Sequence, residues 1–207
     1  MSHVSPRKIG LLGGSFNPAH AAHRHISLEA LRLLGLDEVW WLVSPQNPLK
    51  PVRGMASLKA RLASAEAIAR HPRIRVTTLE VELGTTYTVD TVRALQHRQP
   101  HLRFIWLGGA DILGQLHRWH HWRRLARSLP LAIFARPGHI GPALTSPAMA
   151  WLRRFRAPAS KARRWTALTP PAIIFLETRR SALSATALRA SHPTWYHPPQ
   201  HPQKARP

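Results

Sequence analysis

The sequence predicts an α/β fold, a doubly wound and mainly parallel sheet with helices on both faces. Short apolar runs alternate along the chain with segments whose apolar residues recur at helical spacing. Several runs, "EVWWLVSP" (38–45) among them, are apolar throughout, as strands covered on both faces must be. Such alternation builds a parallel sheet rather than hairpins or a helical bundle.

The elements follow in order. "KIGLLGG" (8–14) reads as a buried strand, with Asn17 as N-cap and Pro18 at the first helical position of the next segment. Ile26, Leu28, Leu31 and Leu34 carry the helix, and Gly35 ends it. A second strand spans 38–45, and a helix capped by serine spans 57–71. "IRVTTLEVEL" (74–83) reads as a third strand, and a turn and helix occupy 84–100. "LRFIWLGGADIL" is a strand that runs into a second glycine pair, "HRWHHWRRLARSL" is helical, and "LAIFARPG" and "PAIIFLET" are strands. "SATALRASH" closes the pattern as a short helix. Two segments break it. Residues 138–169, rich in Pro, Ala and Arg with "AMAWLRRFRA" as their one helical island, read as an insertion or lid-like segment, and 192–207, with five prolines in sixteen positions, as a mobile tail. One domain over 1–191 is the simplest division.

Composition bounds the chemistry. The 207 residues contain no cysteine, so disulfides, thiolate metal sites and cysteine nucleophiles are excluded. No apolar run reaches 18 residues, and the N-terminal stretch is too short for a signal peptide, so a cytoplasmic protein with no membrane partner is expected. Thirty Lys and Arg against nine Asp and Glu give a formal charge of +21, which attracts polyanions. The arginines are scattered rather than gathered in one stripe. Nucleic acid is therefore expected to bind only non-specifically, if at all.

The candidate chemistry sits at the first strand-to-helix junction. Gly13 and Gly14 let the backbone come close to a ligand, and a helix N-terminus beyond them favours a phosphate. His20 and His23 lie three apart, on one face near the helix start, where two imidazoles can donate hydrogen bonds to phosphate oxygens. Neither the Walker loop nor the dinucleotide G-x-G-x-x-G pattern is present.

"GGSFNPAHAAH" (13–23) resembles the G-G-x-F-[DN]-P-x-H-x-G-H signature of the nucleotidylyltransferase superfamily, and "SATALR" (184–189) resembles its second signature, S-x-T-x-x-R. The two stand in the family's order, about 160 residues apart. The resemblance implies a Rossmann-like nucleotidylyltransferase fold. It also implies an ATP site formed by Gly13, Gly14, Ser15, Phe16, His20, His23, Ser184, Thr186 and Arg189. The middle of the chain is similar to bacterial nicotinate-nucleotide adenylyltransferases: "SPQNPLK" (44–50), "TYTVDT" (86–91), "FIWLGGADILGQLHRWHHWRRL" (104–125) and "ARPG" (135–138) all find counterparts. In that family Trp119 would stack on the nicotinate ring, and backbone N–H groups around Thr88 and His120 would hold its carboxylate. Asp111, Asn47, Lys50 and Arg136 would contact the nucleotide and its phosphate. Two positions depart from the pattern: Ala22 stands where the first signature has glycine, and Leu49 where the middle motif has histidine.

The resemblance implies transfer of the adenylyl group of ATP to nicotinate mononucleotide, an NAD-biosynthetic step giving nicotinate adenine dinucleotide and pyrophosphate. His20, His23, Lys50 and Arg189 would neutralise phosphate charge, with Mg²⁺ carried in mainly on ATP and no metal ligand supplied by the protein. The attacking phosphate is already an anion, so no general base is required. The alternatives are a pantetheine-phosphate type of adenylyltransferase, a basic nucleic-acid-binding protein, and a sensing module that has kept the fold without the activity. A homo-oligomer is compatible with the sequence.

Overall fold

The computed structural model describes residues 6–45, 55–135 and 141–178. Within them β1 (Arg7–Gly14), β2 (Glu38–Val43), β3 (Ile74–Thr77), β4 (Leu102–Gly109), β5 (Leu131–Ala135), β6 (Arg156–Ala157) and β7 (Ile173–Glu177) form one sheet. Its order is β3-β2-β1-β4-β5-β7-β6, and the paired strands are parallel throughout. From β1 the chain winds outward through β2 and β3, then returns to lay β4 on the other side of β1. The carboxyl ends of β1 and β4 therefore flank a topological switch point, where an open sheet receives its ligand.

The apolar runs sort by alternate residues into two cores. Ile9, Leu11, Trp40, Leu42, Phe104, Trp106, Ile173 and Phe175 face one side of the sheet. There they meet α4 (Thr88–Arg98), α5 (Asp111–Leu116), α6 (Trp122–Ser128) and α8 (Pro147–Leu152), reached past the single turn α7 (Gly141–Leu144). Leu12, Trp41, Ile105, Leu107, Phe134 and Ile174 face the other side, against α1 (Ala21–Leu33) and α2 (Leu58–Ala69). Both faces are covered, which is why the runs carry no polar alternation. Gly35 follows α1 in the left-handed region, and Ser57 caps α2 by accepting from the backbone N–H of Ala60, both as the sequence indicates.

Three expectations are corrected. The first helix does not begin at Asn17–Pro18. It begins at Ala21, with His20 in an extended conformation as its cap, because the buried Asn17 side chain is committed elsewhere, accepting from the N–H of Ala56. The third strand stops at Thr77, the end of its register with β2. The chain then turns into the short helix α3 (Leu79–Glu82), because Leu79 and Leu83, four apart, pack together on the core. In 117–129 only Trp122–Ser128 is helical. Residues before it form a turn with His121 in the left-handed region, which points Trp119 and His120 at separate partners.

Residues 141–168 hold more structure than one helical island. Besides α7 and α8 they form two 3-10 turns and the edge strand β6. Met149 and Leu152 enter one core, Ala162 and Trp165 the other, and the Trp165 indole donates to the carbonyl of Leu34.

Candidate active site

The turn after β1 is built from the inside. A Cβ on Gly13 would lie 2.5 Å from Cη2 of Trp106, so this glycine makes room for a buried indole as well as for any ligand. Phe16 adopts φ +46, which folds its ring inward to stack on Trp41 at 5.0 Å and to pack against His23 at 4.7 Å. The turn is also tied to α2 and to the residues leading into it: Ala19 N–H donates to Ser64 Oγ in mid-helix, and Asn17 Oδ1 receives the N–H of Ala56.

His20 and His23 come together at the head of α1, with ring centroids 3.9 Å apart. His23 Nδ1 accepts from the backbone N–H of His20 at 3.2 Å, the position that Glu or Gln takes in a capping box. A neutral His23 whose Nδ1 accepts this hydrogen bond carries its proton on Nε2, which makes that nitrogen the donor. Burial holds the His20 imidazole below its ordinary pKa, with Asp111 opposing the shift. Its Nδ1 is buried without a partner. Downstream, the Trp41 indole donates to Ser27 Oγ, which donates to the carbonyl of His23 and locks the first turns of α1 to β2.

Across the switch point, Asp111 opens α5 without capping it, and its Oδ1 would sit 2.5 Å from a Cβ on Gly109. The carboxylate is thus folded back over the end of β4. Half-buried Trp119 meets Trp106 edge to face at 5.7 Å. Thr88 is the first residue of α4, so its N–H belongs to those a helix leaves without an intrahelical partner. Tyr87, just before it, stacks on His120 at 4.1 Å, which ties the start of α4 to the turn before α6.

The structure thus gathers Gly13, Gly14, Ser15, Phe16, His20 and His23 at one rim. Asp111 reaches His20 electrostatically, while Trp119, Thr88 and His120 are linked through Trp106 and Tyr87. Asn47, Lys50, Arg136, Ser184, Thr186 and Arg189 lie outside the described residues, as do Leu49 and the tail. Ala22, half-buried, is the second residue of α1.

Sequence reasoning missed Arg61, Trp106, Tyr87 and Glu80. A signal existed for Arg61. It shares the stripe of buried Ala65 and Ala69, spaced by four, so a cation stands where the helix faces the core. Glu80 lay hidden in the supposed strand. It is 6% exposed, and burial raises its carboxyl to about 7 against the hydrogen bond from Ser44. Its folded pKa exceeds its unfolded one, so the fold loses stability as pH rises from about 4.5 to about 7, by up to about 3 kcal/mol. Glu80→Gln should thus raise urea-unfolding stability at pH 8 and leave it near wild type at pH 5. An equal change at both values would contradict the shift.

A parallel sheet switching between β1 and β4, with a histidine pair at the head of the helix after β1, puts the candidate site where open α/β sheets bind their ligands. A cytidylyltransferase-like family profile matches residues 11–191. A protein of Erythrobacter litoralis named "Probable nicotinate-nucleotide adenylyltransferase" is 54% identical over 91% of this chain and 86% of its own. One of the same name from Parvibaculum lavamentivorans is 54% identical over 88% and 90%. A solved Plasmodium falciparum nicotinic acid mononucleotide adenylyltransferase, complexed with NaAD, superposes with a TM-score of 0.66 at 18% identity. It covers 89% of this chain and 83% of that one, a likeness of fold. The chain belongs to the cytidylyltransferase-like family and, within it, to the nicotinate-nucleotide adenylyltransferases, which are nucleotidyltransferases.

Proposed function

We propose that the chain joins ATP to nicotinate mononucleotide in NAD biosynthesis, with the residue roles that follow. The observation that carries the reading is the His20–His23 pair at the switch point, with Asp111 within electrostatic reach of His20. An oxygen of the mononucleotide 5′-phosphate attacks the α-phosphorus of ATP, the bond from that phosphorus to the bridging oxygen breaks, and pyrophosphate leaves with the electron pair. No proton must be removed from the nucleophile. His20 and His23 donate to oxygens of the triphosphate as charge moves to the leaving group, joined by Lys50 and Arg189, while Ser184 and Thr186 bind the same chain of phosphates. Trp119 stacks on the nicotinate ring, the N–H groups at Thr88 and His120 receive its carboxylate, and Asn47, Asp111 and Arg136 hold the rest of the nucleotide.

Among the described residues no group of three or more histidines and carboxylates is arranged to hold a metal ion. Mg²⁺ prefers oxygen to imidazole nitrogen, so the ion would be held chiefly by triphosphate oxygens and water, with Asp111 the carboxylate within electrostatic reach of His20. When bound, that ion supplies charge neutralisation on the departing pyrophosphate.

No helix among the described residues is long and apolar enough to cross a membrane, and a cytoplasmic enzyme with small-molecule substrates fits that. A single domain over 1–191 is compatible with the family match over 11–191. Purified protein with ATP, Mg²⁺ and nicotinate mononucleotide should release pyrophosphate, with nicotinamide mononucleotide and phosphopantetheine as comparison substrates. No release with either pyridine nucleotide would overturn the reading. Binding to nucleic acid, driven by the +21 charge, should vanish between about 50 and 200 mM salt, and binding that survives with sequence preference would contradict it.

A further inference from the structure

Arg61 is a buried cation without a carboxylate. Its side chain rises from the core face of α2 and is 1% exposed, and among the described residues it enters no ion pair. Backbone carbonyls surround it instead. Nε donates to Ala56 at 3.0 Å, Nη1 to Ser15 at 2.8 Å and Ser44 at 2.6 Å, and Nη2 to Pro45 at 2.8 Å. These acceptors lie in three separate segments: the turn after β1, the end of β2 and the lead into α2. The first two are also joined directly, Ser44 N–H donating to the carbonyl of Gly14 at 3.0 Å.

Burying an unpaired charge is costly even when it is hydrogen-bonded, and a scaffold for three loops could be built from neutral groups. Two consequences of this geometry bear on phosphate. First, carbonyl and N–H point in opposite directions across a trans peptide. With the Ser15 carbonyl held on Arg61, the N–H of Phe16 is aimed to the opposite side, away from the guanidinium. Second, among the described residues no acidic side chain pairs with Arg61, whose charge therefore acts from behind the turn on any anion in front of it, at low dielectric.

We propose that Arg61 is a positioning residue of the triphosphate site. It fixes the Ser15–Phe16 peptide so that the Phe16 N–H faces the phosphates, and it adds a rear positive charge without touching substrate. The assignment rests on the adenylyl-transfer reading above and names a further residue for it. Only a planar fork reaches these four acceptors together, so lysine, which keeps the charge, does not replace it.

The test is Arg61→Lys, with α,β-methylene-ATP and nicotinate mononucleotide titrated separately into wild type and variant by calorimetry. The variant is expected to bind the ATP analogue at least tenfold more weakly while nicotinate mononucleotide affinity changes less than threefold. Equal weakening of both ligands, or none of either, would overturn the proposal, since a scaffold role alone would not single out ATP. Should the lysine variant fail to fold, wild type gives the second measure. The Phe16 amide resonance is expected to shift on adding α,β-methylene-ATP, and an unmoved resonance overturns the proposal whatever the variant does. Wild-type protein that releases no pyrophosphate from either pyridine nucleotide would instead strike the adenylyl-transfer reading itself.

Discussion

Replacing His23 by glutamine should cut turnover roughly 100- to 1,000-fold while leaving the fold close to wild type. His23 has two functions that the structure separates. Its Nδ1 closes the capping box on the backbone N–H of His20, and its Nε2 is the nitrogen that carries the donor proton. Glutamine at this helix position can accept the capping hydrogen bond through its side-chain oxygen, but it has no imidazole to direct at a phosphate. Alanine loses both functions and adds a capping cost of about 1 kcal/mol. Turnover of pyrophosphate, set beside thermal unfolding of the two variants, distinguishes these contributions. A glutamine variant with a near-normal rate would remove His23 from the chemistry, and one that unfolds as readily as the alanine variant would remove it from the cap argument.

The second large effect is expected at Gly13, for a reason that concerns the core. Gly13→Ala places a Cβ 2.5 Å from Cη2 and 2.8 Å from Cζ2 of Trp106, an indole 2% exposed and wedged edge to face against Trp119. Neither the strand nor the buried ring can yield cheaply, so the variant should lose about 1 to 3 kcal/mol. Shifting the indole should also disturb Trp119 and raise KM for nicotinate mononucleotide. Trp106→Phe removes the clashing atoms. The double variant should therefore be less destabilised than the sum of the singles, by an interaction of about 1 kcal/mol or more in urea unfolding. Strict additivity would mean that the glycine is required only by the ligand.

The corrections share a cause. A helix start at Asn17–Pro18 is good local chemistry, yet Asn17 is needed to hold Ala56, a residue 39 positions away, and the cap passes to His20. The apolar alternation of 74–83 favours a strand, but among the described residues β3 lies at the sheet edge with β2 as its one neighbour. Beyond Thr77, Leu79 and Leu83 are better buried by a helical turn. The turn at 118–121 likewise answers to the distant rings of Trp106 and Tyr87. Propensity is local, and each of these outcomes was decided by a partner far along the chain.

The sequence by itself determined the class of fold, the strand-to-helix junction with its glycines and histidines, and the family, since all of these are written as residue types at fixed spacing along a short stretch. Only the tertiary structure decided which atoms serve them. It made His20 the cap and left the donor proton on Nε2 of His23, set Trp106 behind Gly13, and buried Arg61 behind Ser15. Hydrogen-bond direction and packing clearance depend on where segments tens of residues apart come to rest, and spacing along the chain does not encode that distance.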